Sequence, residues 1–131
     1  MRKYLSHAPA LLFAAFLAFM GVQKFGAENI IFATIAEKSG IALFEPVVRT
    51  IVGAGEIIAA ALLLIPRMRL IGSVAAIGII GGAIGFHLSP WLGTSVTMAP
   101  GAAPTPALFY MAVGAFLLAA VVLFMARPAK K

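Results

Sequence analysis

A glutamate in the middle of an apolar run is the most demanding residue of this chain. Glu56 stands in GAGEIIAA, and a charged side chain at the centre of a bilayer costs roughly 2.5–3.5 kcal/mol on insertion scales. It must be neutral there, or turned into a protein interior and paired. Arg49 lies seven residues earlier, two helical turns along nearly the same face, and Glu45 lies four before Arg49. One helical stripe thus reads Glu45, Arg49, Val52 with Gly53, and Glu56. At 1.5 Å per residue, Arg49 and Glu56 are about 10 Å apart along the axis, too far for direct contact unless long side chains converge. That spacing leaves room for a second cation or a ligand. Lys24, in GVQKFG, is a candidate for that cation: its stem either reaches inward to Glu56 or snorkels outward to water. Gln23 stands beside it. His87, in GFHLSPW, closes another apolar run at the same level, where a lone histidine is either solvated or hydrogen-bonded, or meets a ligand. His7, in the flank of the first run, receives no role.

These groups gather towards one side of the chain's apolar segments: Gln23 and Lys24, Arg49 and Glu56, and His87. Two readings stay open. One is an ion-pair network that fixes helix register. The other is a half-buried polar pocket with apolar walls from Phe25, Phe44, Ile57, Phe86 and Trp91. Such a pocket suits an amphipathic small molecule with a polar head, such as a quinone or phenol. Glu56 would then handle protons, Lys24 and Arg49 would tune it, His87 would hydrogen-bond a carbonyl of the ligand, and Gln23 would complete the binding set. No metal site is expected, because two His and four Glu do not give a ligand triad at helical spacing. No histidine pair is placed to hold a haem, and no GxGxxG, Walker, GxSxG or HExxH pattern occurs.

The elements that carry these residues follow from composition. The chain has 131 residues, of which 63% are hydrophobic and 11% charged, with a mean hydropathy of +1.08. A soluble domain carries roughly 25% charged residues, so a water-soluble fold is excluded in favour of a single membrane domain over residues 1–131. Four runs are long enough to span a bilayer, at about 8–25, 46–65, 70–88 and 106–126. None alternates apolar and polar residues as a barrel strand does. The fold class is all-α, a four-transmembrane-helix bundle with a short amphipathic segment between helices 1 and 2. That segment, 27–35, is too short and polar to span; Ile30, Ile31, Phe32 and Ile35 give it one apolar face for lying at the interface. Ser39-Gly40 ends it, and Pro46 suits the first turn of the second span. The connection 89–105 holds several prolines and Trp91, and should be irregular.

Net charge is +6, but the basic residues sit at the ends of apolar runs, with no basic stripe for nucleic acid. Arg2 and Lys3, Arg67 and Arg69, and Arg127, Lys130 and Lys131 fall on one side of a four-span chain. The positive-inside rule makes that side cytoplasmic, so both termini are expected inside a cell inner (plasma) membrane. The first run also resembles a signal-peptide core, yet no small-x-small cleavage site follows it. Gly78 and Gly82, overlapped by Gly81 and Gly85, form two GxxxG patterns. They point to close helix packing, either within the bundle or in a homo-oligomer. No internal repeat supports an inverted-repeat transporter, and no ring of like charge marks a channel.

GVQKF at 21–25 and RTIVGAGEIIAAALLLIP at 49–66, followed by a short basic turn, resemble the DoxX-like family of small four-helix membrane proteins. The likeness runs from the first span through the third. It implies a four-helix membrane bundle in which Lys24, Glu56 and Arg49 stand at the family's motif positions. Some members of that family are tied to thiosulfate:quinone oxidoreduction, to quinone or catechol stress, or to membrane oxidoreductase assemblies. Others assist membrane receptors. The resemblance thus implies a quinone or redox-associated component, or else a non-enzymatic accessory subunit of a larger membrane complex. The absence of cysteine excludes a thiol path for electrons through the chain itself.

Overall fold

A computed structural model describes residues 6–27 and 29–128. The basic residues Arg2, Lys3, Lys130 and Lys131 lie outside the described residues. Among the described residues five α-helices follow one another: α1 (Ala8–Val22), α2 (Ile30–Ser39), α3 (Val47–Leu64), α4 (Arg69–His87) and α5 (Ala107–Ala126). Short 3-10 turns extend three of them, Gln23–Phe25 after α1, Ala42–Phe44 ahead of α3 and Pro66–Met68 ahead of α4. With those turns, the segments Ala8–Phe25, Ala42–Leu64, Pro66–His87 and Ala107–Ala126 are each long and apolar enough to cross a membrane. The expected all-helical bundle, with four helices long and apolar enough to span, is therefore present.

α1 packs on α3, α3 on α4 and α4 on α5, and α5 returns lightly to α1. The outward faces carry large apolar side chains, among them Leu12, Phe19, Ile51, Ile58, Leu117 and Phe124. Such a belt is costly in water and matched by acyl chains. Towards the end bearing residues 6 and 128 the interior is closed. Phe13 and Leu17 of α1, Ala59 and Leu63 of α3, Ala76 of α4, and Ala119 and Val122 of α5 fill it with almost no exposed surface. Ser73 is buried there as well, and its hydroxyl has no hydrogen-bond partner.

Close approach between helices is set by three glycines. A Cβ on Gly21 would stand 2.8 Å from Ile57 Cγ1 and 2.9 Å from the Gly53 carbonyl oxygen. One on Gly53 would stand 2.8 Å from Lys24 Cβ and 3.0 Å from the Gly21 carbonyl oxygen. Gly72 plays the same part between α4 and α3, 3.0 Å from Leu62 Cβ. The packing expected of Gly78, Gly81, Gly82 and Gly85 is not made inside the chain. At Gly78, Gly82 and Gly85 an added Cβ would meet nothing within 4 Å, and at Gly81 only Phe116 at 3.8 Å. Their repeat spacing is real, but α4 borders open space at Gly78, Gly82 and Gly85 and makes only an ordinary contact with α5 at Gly81.

α2 starts where Asn29 caps it: its side-chain oxygen accepts from the Ile31 and Phe32 amides at 3.0 and 3.3 Å. It ends at Gly40, whose φ of 74° is the left-handed turn that glycine tolerates. This helix lies three to four residues later than the amphipathic segment read at 27–35. Its Ile35 is buried with Leu92 and Val96 of the α4–α5 connection, so its apolar face covers protein. The connection itself is more ordered than its prolines suggest. Val96 and Thr105 exchange backbone hydrogen bonds of 3.0 and 2.9 Å. Phe44, Phe86 and Trp91 join it to α3 and α4, with Phe44 and Phe86 edge to face at 5.4 Å. Pro46 stands one residue ahead of α3, as its N-cap rather than in its first turn.

Candidate functional site

Glu56 sits near the middle of α3 and points into the bundle, where it is buried. Lys24, in the 3-10 turn that ends α1, reaches inward rather than out to water. Its Nζ donates to both carboxylate oxygens of Glu56, at 3.0 and 2.9 Å, and more weakly to the Met20 carbonyl at 3.3 Å. Each charge is thereby taken out of lipid in company of its opposite, the condition under which an intramembrane ion persists. The close α1–α3 approach at Gly21 and Gly53 makes this geometry possible, because Lys24 leaves the backbone directly over Gly53.

Arg49 has another task. Its Nε donates to both oxygens of Glu45 at 2.8 Å, as their i,i+4 spacing allows. Its Nη1 donates to the carbonyls of Lys24 at 2.6 Å and Gly26 at 2.8 Å, and its Nη2 to that of Ala27 at 3.4 Å. These carbonyls follow the last turn of α1 and have no helical partner of their own. Arg49 is therefore a clamp on the end of α1 and is absent from the cavity lining. Arg49 and Glu56 share a stripe, but their side chains take different partners, Glu45 and the carbonyls after α1 for Arg49 and the Lys24 ammonium for Glu56.

His87, the last residue of α4, is buried. Its Nδ1 lies 3.0 Å from the Gly93 carbonyl oxygen. A carbonyl only accepts, so Nδ1 carries a hydrogen, and Nε2 of the neutral ring is an acceptor. The ring packs edge-on against Phe109, with centroids 5.8 Å apart. Gln23 is exposed at the rim.

Lys24, Glu56, His87 and Gln23 share one cavity of about 500 Å³ in the half of the bundle away from residues 6 and 128. Its walls are otherwise mostly apolar: Met20 of α1, Ile31 of α2, Val52 of α3, Ile80 and Phe86 of α4, and Met111 of α5 are among them. Of the five walls expected from sequence, only Phe86 lines it. Ile57 packs on Gly21 instead, Phe25 is exposed, and Phe44 and Trp91 stack behind Phe86. Asn29, Leu108 and Met111 had not been expected. Asn29 was legible as a helix cap, an Asn directly before an apolar run. The two α5 residues carry no distinguishing signal in an apolar helix. Gly78 and Gly82 also line the cavity, where they leave space rather than fill it.

A second polar contact closes the opposite end of the bundle. Arg69 donates from Nε to the Leu63 carbonyl at 2.9 Å and from Nη1 to His7 Nδ1 at 2.6 Å. An arginine only donates, so His7 accepts there. The histidine that received no role from sequence thus ties the start of α1 to the α3–α4 turn.

No protein-family model, curated protein or solved structure matches the chain.

Proposed function

We propose that this is an integral membrane protein that binds the head of a small, hydrogen-bonding ring molecule, a quinone or its phenolic reduced form. One observation carries the reading: an ammonium–carboxylate pair and a histidine line the same, mostly apolar cavity. Lys24 exchanges its weak 3.3 Å bond to the Met20 carbonyl for one to a ring oxygen, Glu56 accepts from a ring hydroxyl, and Nε2 of His87 accepts from a hydroxyl while Nδ1 is committed to Gly93. In a redox assembly, Glu56 would accept or return the hydroxyl proton, with electrons supplied by a partner or bound cofactor. Arg49 would act at one remove, by holding the backbone of Lys24. The resemblance to the DoxX-like family supports this reading. The distribution of Lys and Arg supports a cell inner membrane with both termini inside and the cavity in the outer leaflet.

The test uses the chain's single tryptophan. Trp91 lies 6.3 Å, centroid to centroid, from the cavity residue Phe86. In reconstituted vesicles, a benzoquinone quenches Trp91 fluorescence saturably, and Glu56→Gln and His87→Leu weaken the saturable part. Quenching that stays linear in quinone and is indifferent to both substitutions rules the reading out.

The accessory-subunit reading draws on a separate observation, the exposed Gly85 of α4, outside the cavity, where an added Cβ would meet nothing within 4 Å. Mild-detergent purification tests it. A stoichiometric larger complex that Gly85→Leu dissolves supports it, and an unchanged single species removes it.

A further inference from the structure

We propose that the cavity's ligand carries an apolar tail and arrives sideways from the bilayer, through a window between α3 and α4. The tail rests in the window while the head lies between Glu56 and His87. This builds on the binding reading above and adds the ligand class and its route.

On α3, Leu62 and Ala59 meet Gly72 of α4 and Gly55 meets Ile79, and Val52 and Val48 continue the same spacing of three or four. At the closed end the two helices touch. A Cβ on Gly72 would lie 3.0 Å from Leu62 Cβ and 3.2 Å from the Ala59 carbonyl oxygen. Midway they still touch, since a Cβ on Gly55 would lie 3.2 Å from Ile79 Cδ1. One turn further on, the contact ends. Val52 and Val48 line the cavity, and so do Gly82 and Ala83 of α4, both of them exposed. A Cβ on Gly82 would meet nothing within 4 Å. Beyond this gap the helices are bridged again by Phe44 and Phe86, 5.4 Å apart. The result is a bounded opening, with Gly55 and Ile79 below, Phe44 and Phe86 above, and valines facing glycine and alanine across it.

Its chemistry selects the occupant. The residues bordering the opening are apolar or small, so an alkyl or isoprenoid chain sits there without desolvating any polar side chain. The other approach is narrowed by Ile31, Phe32 and Ile35 of α2 together with Leu92, with the exposed Gln23 at its rim. Glycine at position 82 widens the opening, and any larger residue would narrow it.

The chain has no cysteine, so Gly82→Cys creates a unique thiol at a site with free space for its Cβ. The folded variant is reconstituted, and half is labelled with a bulky maleimide after folding, so that failure to fold cannot mimic blockage. Both halves are mixed with decyl-benzoquinone, and Trp91 quenching is followed in a stopped-flow instrument. The label slows association and release of the tailed quinone by roughly tenfold or more, while the same label on Gly85→Cys, outside the cavity, does not. Equal rates for the labelled and unlabelled halves of the Gly82→Cys protein overturn the window. So does a tail-less benzoquinone that the label slows as much as the tailed one. If unmodified protein shows no saturable quenching with either quinone, the binding reading falls and this inference falls with it.

Discussion

Arg49 Nη1 holds the backbone carbonyl of Lys24 at 2.6 Å while the side chain of Lys24 meets Glu56 at 2.9 Å. The cation that neutralises the intramembrane acid is thus fixed at both ends, by a helix-end clamp behind it and by the carboxylate ahead. Glu45 completes the arrangement by holding the guanidinium on its other side. Four charges, two of each sign, form one continuous structure from the mouth of the bundle to the middle of α3.

Removing one partner of the buried pair is expected to cost far more than removing both. Lys24→Met destabilises the protein by about 3–5 kcal/mol, because Glu56 is left without its cation. The double variant Lys24→Met/Glu56→Leu recovers most of that loss. Unfolding midpoints in detergent mixtures compare the three proteins. A double variant as weak as Lys24→Met would mean that packing, not charge, sets the cost.

Arg49→Lys is not conservative here. A single ammonium cannot serve Glu45 and the carbonyls of Lys24 and Gly26 in the planar arrangement that the guanidinium provides. A loss of about 2 kcal/mol is expected. Faster amide exchange should accompany it, confined at first to the segment after α1. Exchange that rises instead across α4 and α5 would contradict the clamp.

Two glycine substitutions separate contact from spacing. Gly53→Ala drives a Cβ to 2.8 Å from Lys24 Cβ, and is expected to cost about 1–3 kcal/mol through overpacking. It also displaces Lys24 from Glu56, so saturable Trp91 quenching weakens along with stability. Gly85→Ala, with open space before it, changes stability by less than about 0.5 kcal/mol. The reverse order of effects would place the helix contact on the other face of α4.

Ser73 offers a test in the opposite direction. Its hydroxyl is buried and without a partner, so Ser73→Ala is expected to leave stability unchanged or raise it by up to about 1 kcal/mol. A clear loss, measured in the same unfolding series, would show that the hydroxyl is hydrogen-bonded.

Much of the architecture was legible because lipid imposes few solutions. Runs of about 20 apolar residues have to be helices when no water is present to satisfy the backbone. Composition alone therefore yielded four spans and the element between the first two. Helical periodicity also placed Glu45, Arg49 and Glu56 on one stripe, and Gln23, Lys24 and His87 at one level. Periodicity describes a single helix, however. It could not decide whether Lys24 reaches in or out, since that depends on how closely α1 approaches α3 at Gly21 and Gly53.

The glycines make the same distinction. GxxxG spacing in α4 was the most conspicuous small-residue pattern, yet the tight contacts fall on Gly21, Gly53 and Gly72, which form no such repeat with one another. A glycine permits close approach but does not cause it; which face meets a neighbour is decided by the packing of all four spans together. The cavity follows from that same packing. Residue types supplied an acid, a cation and a histidine at one depth, whereas a shared cavity required α3 and α4 to touch at Gly72 and separate at Gly82. Which groups are available, and at what height in the bundle, was determined by sequence alone, because those depend on hydropathy and helical rise. Tertiary structure chose the partners, because side-chain direction and interhelical distance are properties of pairs of helices.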